Sequence, residues 1–209
     1  MSQPQAAGRV KSERNMAKRQ SKANPTWEEV KAELASFDRA ALLAVLRDLY
    51  RAAEGNRAFL HARFGLGQDP LQPYKKIIDR WVWPDVFRGE ETSVSRAKRA
   101  ISDYREASGD PEGLAELMVY YCEQAAGFCR DVDYQDAAYC DALVRMFEQA
   151  LRTTTDAVNA GTVRNRLLGT LDHVRSIGRE LGYGIGDDMD VLFAEFVSSS
   201  RRRVLHGDR

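Results

Sequence analysis

The segment Asp110–Cys129, DPEGLAELMVYYCEQAAGFC, determines the fold class of this chain. An aspartate followed by a proline is typical of a helix start, because the carboxylate can cap the first amides and proline suits the first helical position. The apolar residues after it recur every three or four positions: Leu114, Leu117, Met118, Tyr121, Cys122, Ala125, Phe128 and Cys129. This spacing predicts a long amphipathic helix with one face in the core.

Similar apolar stripes occur on both sides of this segment. They lie within residues 42–50, 71–82, 97–104, 137–151, 163–181 and 189–196. No segment alternates apolar and polar residues as a strand would. We therefore predict an all-α fold of eight to nine helices packed as antiparallel hairpins, in a bundle or a short solenoid-like stack.

Capping and turn residues predict where these helices begin and end. Thr26 and Glu29 form a capping-box pattern, which predicts the first helix from there to about Leu34. We expect Gly55-Asn56 to end the second helix and Pro70 to open the fourth.

Charge is distributed unevenly over the 209 residues, although the net charge is zero. Residues 1–24 carry a net charge of +5 and residues 198–209 a net charge of +3, so residues 25–197 carry −8. The first segment is polar and has no apolar period. We expect a basic disordered tail over residues 1–24, a single helical domain over 25–197 and a basic C-terminal tail over 198–209.

The compartment is predicted from cysteine usage and from missing targeting signals. The chain has three cysteines, Cys122, Cys129 and Cys140, and an odd, small number argues against a disulfide framework. No apolar segment follows the basic N-terminus, and no apolar run approaches the ~20 residues that span a bilayer. We expect a cytoplasmic protein with no membrane partner.

Two segments resemble a known family. They are the leucine-rich segment Ala41–Tyr50, ALLAVLRDLY, and the block Ser93–Tyr104, SVSRAKRAISDY. Over roughly residues 27–155 the chain resembles an uncharacterised bacterial all-helical family, a domain of unknown function. The resemblance implies an α-helical, cytoplasmic bacterial protein and brings no activity or catalytic residue with it.

No residue pattern indicates a metal, a cofactor or catalysis. Cys122 and Cys129 are two helical turns apart, about 10 Å, which is too far to share one tetrahedral zinc. Ser93 and Ser95 lack a nucleophile-elbow context and are interpreted as candidate helix caps. The glycine-rich loop at 182–186 follows a predicted helix, which indicates a helix end in preference to a phosphate loop. We expect no cofactor, no metal and no catalytic residue.

The aromatic residues near Pro84 form the most informative apolar feature. Trp81 fits the stripe of its predicted helix, whereas Trp83 falls outside it and Phe87 lies in the following connection. Packing at the edge of the core is one interpretation. The other is a partly exposed patch that binds a protein, because tryptophan is a common interface anchor.

Basic residues supply the remaining candidates. Lys75, Arg96 and Arg99 are either solvated helix positions or part of a cationic face. The first hypothesis for the function is a non-enzymatic protein–protein interaction or scaffold protein that uses Trp83, Phe87 and these cations. The alternatives are a nucleic-acid-associated protein that uses its basic tails and the Arg96–Arg105 helix, and an enzyme of unrecognised type with an interhelical cleft.

Overall fold

The computed structural model describes residues 25–158 and 161–206. Within these ranges the chain forms nine α-helices, one 3₁₀ turn at Val86–Arg88 and no strand, so the all-α prediction is confirmed. The helices are α1 Trp27–Leu34, α2 Arg39–Ala52, α3 Glu54–Phe64, α4 Gln72–Val82, α5 Val94–Ser108, α6 Pro111–Val132, α7 Ala137–Ala157, α8 Gly161–Gly178 and α9 Ile185–His206. Their arrangement as antiparallel hairpins stays a prediction.

Within the described residues the chain divides into two compact units on either side of the boundary between Leu49 and Tyr50. The single helical domain expected over residues 25–197 stays a prediction. The disordered tail predicted for residues 1–24 lies outside the described residues. The backbone remains helical to His206, beyond the predicted start of the C-terminal tail at residue 198. None of the described helices is both long and apolar enough to cross a lipid bilayer.

The first unit contains two amphipathic helices with well-defined starts. The Thr26 side chain accepts a hydrogen bond from the Glu29 amide, and the Glu29 carboxylate accepts one from the Thr26 amide at 2.6 Å. The predicted capping box is therefore confirmed. The Asp38 carboxylate accepts the Ala41 amide at 2.7 Å at the start of α2. Neither α1 nor α2 contains a buried residue.

The second unit is organised around α6, the helix predicted from the segment at 110–129. This helix packs against α4, α5, α7 and α8, while α9 packs on α7 and α8. The Asp110 carboxylate accepts hydrogen bonds from the amides of Glu112 and Gly113, as expected for a residue that caps the helix start. Every member of the predicted stripe is buried except Leu114, which is half-buried against the core. Burial of this apolar face stabilises the unit through the hydrophobic effect.

Two predicted helix boundaries are wrong. The chain between α2 and α3 breaks at Ala53, whose backbone is extended, and Gly55 and Asn56 lie in the first turn of α3. Helix α4 begins at Gln72, and its first turn contains Pro73. First-turn amides have no partner within a helix, so a proline at 73 costs little there.

The predicted serine cap is only partly correct. Ser93 occupies the residue before α5, but its side chain makes no capping hydrogen bond. Its hydroxyl lies 3.3 Å from the hydroxyl of Ser95 instead. The backbone of Ser93 is engaged, because its amide donates to the Trp81 carbonyl at 2.9 Å. That bond ties the start of α5 to the end of α4.

Candidate functional site

The candidate site lies where α4 ends and the chain turns towards α5. The Trp83 amide closes the last turn by donating to the Asp79 carbonyl at 2.8 Å. The Tyr139 hydroxyl, from α7, donates to the Val82 carbonyl at 2.7 Å and satisfies a carbonyl that the helix end would otherwise leave free. Pro84 is buried and cannot continue the helix. The end of α4 is therefore held by side-chain and backbone contacts from α7 and from its own last turn.

Asp85 fixes the 3₁₀ turn that follows. Its carboxylate accepts a hydrogen bond from the Arg88 amide at 3.3 Å and forms an ion pair with the Arg88 guanidinium at 3.2 Å. Its own amide donates to the Glu90 carboxylate at 3.2 Å, and Gly89 ends the turn in the left-handed conformation. Phe87 lies in this turn with 88% of its surface exposed. The turn thus presents an uncovered phenyl ring on a backbone held by several hydrogen bonds.

Trp83 has one packed edge and one exposed edge. Its benzene ring lies against α6 over Gly127, and its centroid is 6.2 Å from that of Phe128 in an edge-on arrangement. Its exposed fraction is 37%. Trp83 and Phe87, which we call the aromatic corner, are therefore both available to solvent, the first in part and the second almost completely.

Two arginines flank the ring of Trp81, which precedes Trp83 by two residues in the chain. The guanidinium carbon of Arg96 lies 4.2 Å from the ring centroid and that of Arg80 lies 5.3 Å from it. Both arginines are exposed, and neither is paired with a carboxylate within the part of the chain that the structure describes. A guanidinium stacked on an indole keeps its N–H groups available for an anion.

Lys75 and Arg99 lie in other surroundings, and each has a carboxylate partner. The Lys75 ammonium contacts Glu116 at 2.9 Å, and Glu116 also accepts from Arg166 at 2.8 Å. Burial raises the pKa of Glu116, but the hydrogen bonds from Arg166 and Lys75 outweigh this and lower it overall. Arg99 forms an ion pair with Asp103 at 2.7 Å on the exposed side of α5. These cations are compensated within the chain.

The cysteines belong to the core, as predicted for Cys122 and Cys129. These two and Cys140 are buried. Burial raises the pKa of the Cys129 thiol to about 12, with a further contribution from the adjacent Cys140. Thiols in this state are poor nucleophiles and poor metal ligands at neutral pH. Among the described residues, no group of three or more His, Cys, Asp or Glu side chains is placed to hold a metal ion.

A groove of about 650 Å³ lies between α7 and α9. Its lining includes Glu148, which is paired with Arg152. Two hydroxyls in the lining, those of Thr155 and Ser198, donate to backbone carbonyls one turn earlier in their own helices. These partners are typical of helix surfaces and form no nucleophile–base arrangement.

Comparison with known proteins gives no match: no protein family, no curated protein and no solved structure is detectably similar to this chain. Sequence reasoning had selected Trp83, Phe87 and Arg96 but had missed Asp85 and Gly127. A glycine inside a helical pattern is a signal for close approach of another group, and Gly127 fits it.

Proposed function

We propose that this chain is a non-enzymatic protein–protein interaction protein that binds its partner through the aromatic corner, Trp83 and Phe87. The observation that carries the proposal is the 88% exposure of Phe87 on a turn fixed by Asp85. A large exposed apolar side chain is unfavourable in water and favourable in an interface. A backbone already fixed before binding loses less conformational entropy when the partner arrives.

The surroundings of the corner suggest the chemistry of the partner. Arg80 and Arg96 present cationic groups on the ring of Trp81, two residues before Trp83 in the chain. A complementary segment would place an apolar side chain against Phe87 and one or more carboxylates near the two arginines. We therefore propose a partner segment that combines apolar and acidic residues.

The two alternative functions have less support. Nucleic-acid binding would use the basic tails and the Arg96–Arg105 helix, but Arg99 of that helix is compensated by Asp103, and the basic segment at 1–24 lies outside the described residues. An enzyme would need reactive side chains in a cleft, and the hydroxyls in the groove between α7 and α9 are engaged with backbone. The three buried free cysteines support the further proposal of a reducing, cytoplasmic location.

Site-specific photocrosslinking tests the proposed interface. A photoreactive phenylalanine analogue is introduced at Phe87, and in a matched control at Tyr183, an exposed aromatic residue in the loop before α9. After irradiation in the source organism, we expect a discrete crosslinked protein from position 87 and none of that mass from position 183. Crosslinks of equal yield and identity at both positions, or nuclease-sensitive crosslinks, would contradict the proposal.

A charge variant tests the acidic character of the partner once it is identified. Arg96→Gln removes a cation without a carboxylate partner, whereas Arg99→Gln removes one that is paired with Asp103. We expect Arg96→Gln to weaken binding and to reduce its salt dependence, with little effect from Arg99→Gln. Equal effects of the two variants would argue against a specific role for the arginines around Trp81.

A further inference from the structure

The first unit exposes an apolar surface that its own helices do not cover. Neither α1 nor α2 contains a buried residue, although both are amphipathic. The exposed large apolar side chains of this unit are Trp27, Val30, Phe37, Leu42, Leu43, Leu46 and Leu49. Several large apolar side chains left exposed within one short segment are unusual on monomers and indicate a contact surface.

The spacing within α2 is that of an interhelical seam. Leu42, Leu46 and Leu49 follow one another at intervals of four and three residues, and Leu43 lies beside them with 56% of its surface exposed. Helices shorter than ~12–15 residues are marginal in water without packing partners, and α1 has 8 residues and α2 has 14. A partner that covers this face would stabilise both helices.

Charge complementarity between the two helices identifies that partner. Helix α1 carries three glutamates and one lysine, a net charge of −2. Helix α2 carries three arginines and one aspartate, a net charge of +2. Opposite charges of equal size on two segments of one chain suit a twofold interface, because each segment then meets its complement twice.

We propose that residues 26–52, which we call the N-terminal arm, pair with the same arm of a second copy of this chain, with α1 of each copy against α2 of the other. The apolar residues form the centre of this interface and the opposite charges lie around it. The arm is about as long as the ~20–30 residues that one partner contributes to an interface of standard size. The chain is then a homodimer in which each copy keeps its own aromatic corner.

An anionic membrane surface fits the arm less well than a second copy does. Amphipathic helices that lie on membranes carry an excess of basic residues on their polar face. Residues 25–52 carry a net charge of −1, so they gain no electrostatic attraction to such a surface. Residues 1–24 carry a net charge of +5, which would attract the chain to an anionic membrane. Binding to anionic vesicles must therefore be measured as well.

Analytical ultracentrifugation of the full-length chain is the first measurement. We expect the wild type to sediment as a dimer and Leu43→Ser/Leu46→Ser as a monomer. The matched control is Ile77→Ser, which changes an exposed apolar residue on α4 in the second unit and should leave the dimer intact. Circular dichroism and thermal unfolding show whether each variant keeps its second unit folded, so that loss of dimer is not confused with loss of fold.

A charge exchange tests the pairing of α1 with α2. The variant Glu28→Lys/Glu33→Lys changes the net charge of α1 from −2 to +2 and keeps Glu29 for the capping box. The variant Arg39→Glu/Arg47→Glu changes that of α2 from +2 to −2. Each variant alone should have its dimer dissociation constant raised about tenfold or more, corresponding to ~1.4 kcal/mol. An equimolar mixture of the two should dimerise again, because each contact between the two variants then joins opposite charges.

Several results would overturn the proposal. These are a wild type that is monomeric at its highest soluble concentration, a dimer that the leucine variants do not weaken, and a mixture of charge variants that stays monomeric. Binding to phosphatidylserine vesicles that the leucine variants abolish, by a chain that is monomeric without vesicles, would assign the arm to a membrane. Crosslinking at position 87 does not depend on dimer formation, so the monomeric variants should retain it. A failure of the dimer proposal can therefore be distinguished from a failure of the proposed partner-binding function.

Discussion

Trp83 packs over Gly127 so closely that a Cβ atom at position 127 would lie 2.8 Å from the Cζ3 atom of the indole. Real Cβ contacts do not reach this distance, so only glycine allows the ring to stay where it is. Trp83 therefore keeps an inner edge fixed on α6 and an outer edge in solvent. The close approach at Gly127 determines how the aromatic corner is presented.

Gly127→Ala should destabilise the protein, although alanine is the better helix former. The gain in helix propensity is up to ~1 kcal/mol, and displacing a packed ring typically costs ~1–3 kcal/mol. Chemical unfolding measures the difference. Gly169→Ala in α8 is the matched control, because that glycine is exposed and no atom lies within 4 Å of its added Cβ; it should raise the free energy of unfolding.

A double-mutant cycle separates the contact with Trp83 from other effects of Gly127→Ala. In a Trp83→Ala background the added methyl group meets no ring, so Gly127→Ala should become neutral or stabilising there. If the same destabilisation persists without the indole, the explanation through Trp83 is wrong.

Glu116→Gln should lower the free energy of unfolding at neutral pH. In acid the substitution should have little effect. Glu116 contacts both Lys75 and Arg166, and hydrogen bonds to charged groups contribute roughly 1.5–3 kcal/mol, so we expect a loss of about 1–2 kcal/mol for this partly exposed group. The folded state lowers the pKa of Glu116 from 4.5. The stabilisation is therefore complete above pH 4.5 and disappears as the pH falls through the lowered value.

Urea unfolding at pH 7 and at pH 3 tests this pH dependence of the Glu116→Gln effect. Glu123→Gln, which changes an exposed glutamate on the same helix, should alter stability by less than ~0.5 kcal/mol at both pH values. A Glu116→Gln effect that is equal at pH 7 and pH 3 would show that packing, and not the ionised carboxylate, is responsible.

Cys122→Ser should cost roughly 1–3 kcal/mol, because its hydroxyl enters an apolar core without an evident partner. Cys122 is fully buried on the inner face of α6, and burial raises the pKa of its thiol. Alkylation at pH 8 should accordingly be slow in the folded protein and rapid in urea. Cys122→Ala is the control for lost volume and should cost less than the serine variant.

We also expect the purified protein to contain less than one equivalent of zinc by metal analysis, in line with the two-turn separation of Cys122 and Cys129. One equivalent that is lost in Cys122→Ser would contradict the assignment of these thiols to the core.

The helices could be predicted from sequence because the spacing of apolar residues in a stripe depends only on the local helical period. The period of Leu117, Tyr121 and Phe128 specifies both the helix and its buried face, and Asp110 specifies its start. The break at Ala53 could not be predicted in this way. Alanine has no preference for an extended conformation, and the stronger turn residues Gly55 and Asn56 fit equally well into the first turn of the next helix.

The candidate site was only partly predictable for a different reason. That Trp83 lies off the stripe of α4 is a local property and was visible in the sequence. Its position over Gly127 joins residues 44 positions apart, and the stacking of Arg96 on Trp81 joins α4 to α5. Contacts between elements depend on how helices pack, which a single sequence does not specify.

The two residues of the aromatic corner should respond differently to truncation. Trp83→Ala removes a ring packed on Gly127 and Phe128, so it should lower the melting temperature as well as weaken partner binding. Phe87→Ala removes a side chain that is 88% exposed and should change stability by less than ~0.5 kcal/mol. Thermal unfolding and binding to the crosslinked partner are measured for both variants.

If Phe87 serves an interface, Phe87→Ala should reduce affinity by roughly 2 kcal/mol or more, as truncation of an interface anchor does, with no change in fold. Phe87→Tyr is the matched control, because it keeps the ring and should retain most of the affinity. A Phe87→Ala variant that binds as tightly as the wild type would remove the observation on which the proposed function rests. Binding lost only in Trp83→Ala, together with a lower melting temperature, would trace the loss to disturbed packing on α6 and not to a contact with the partner.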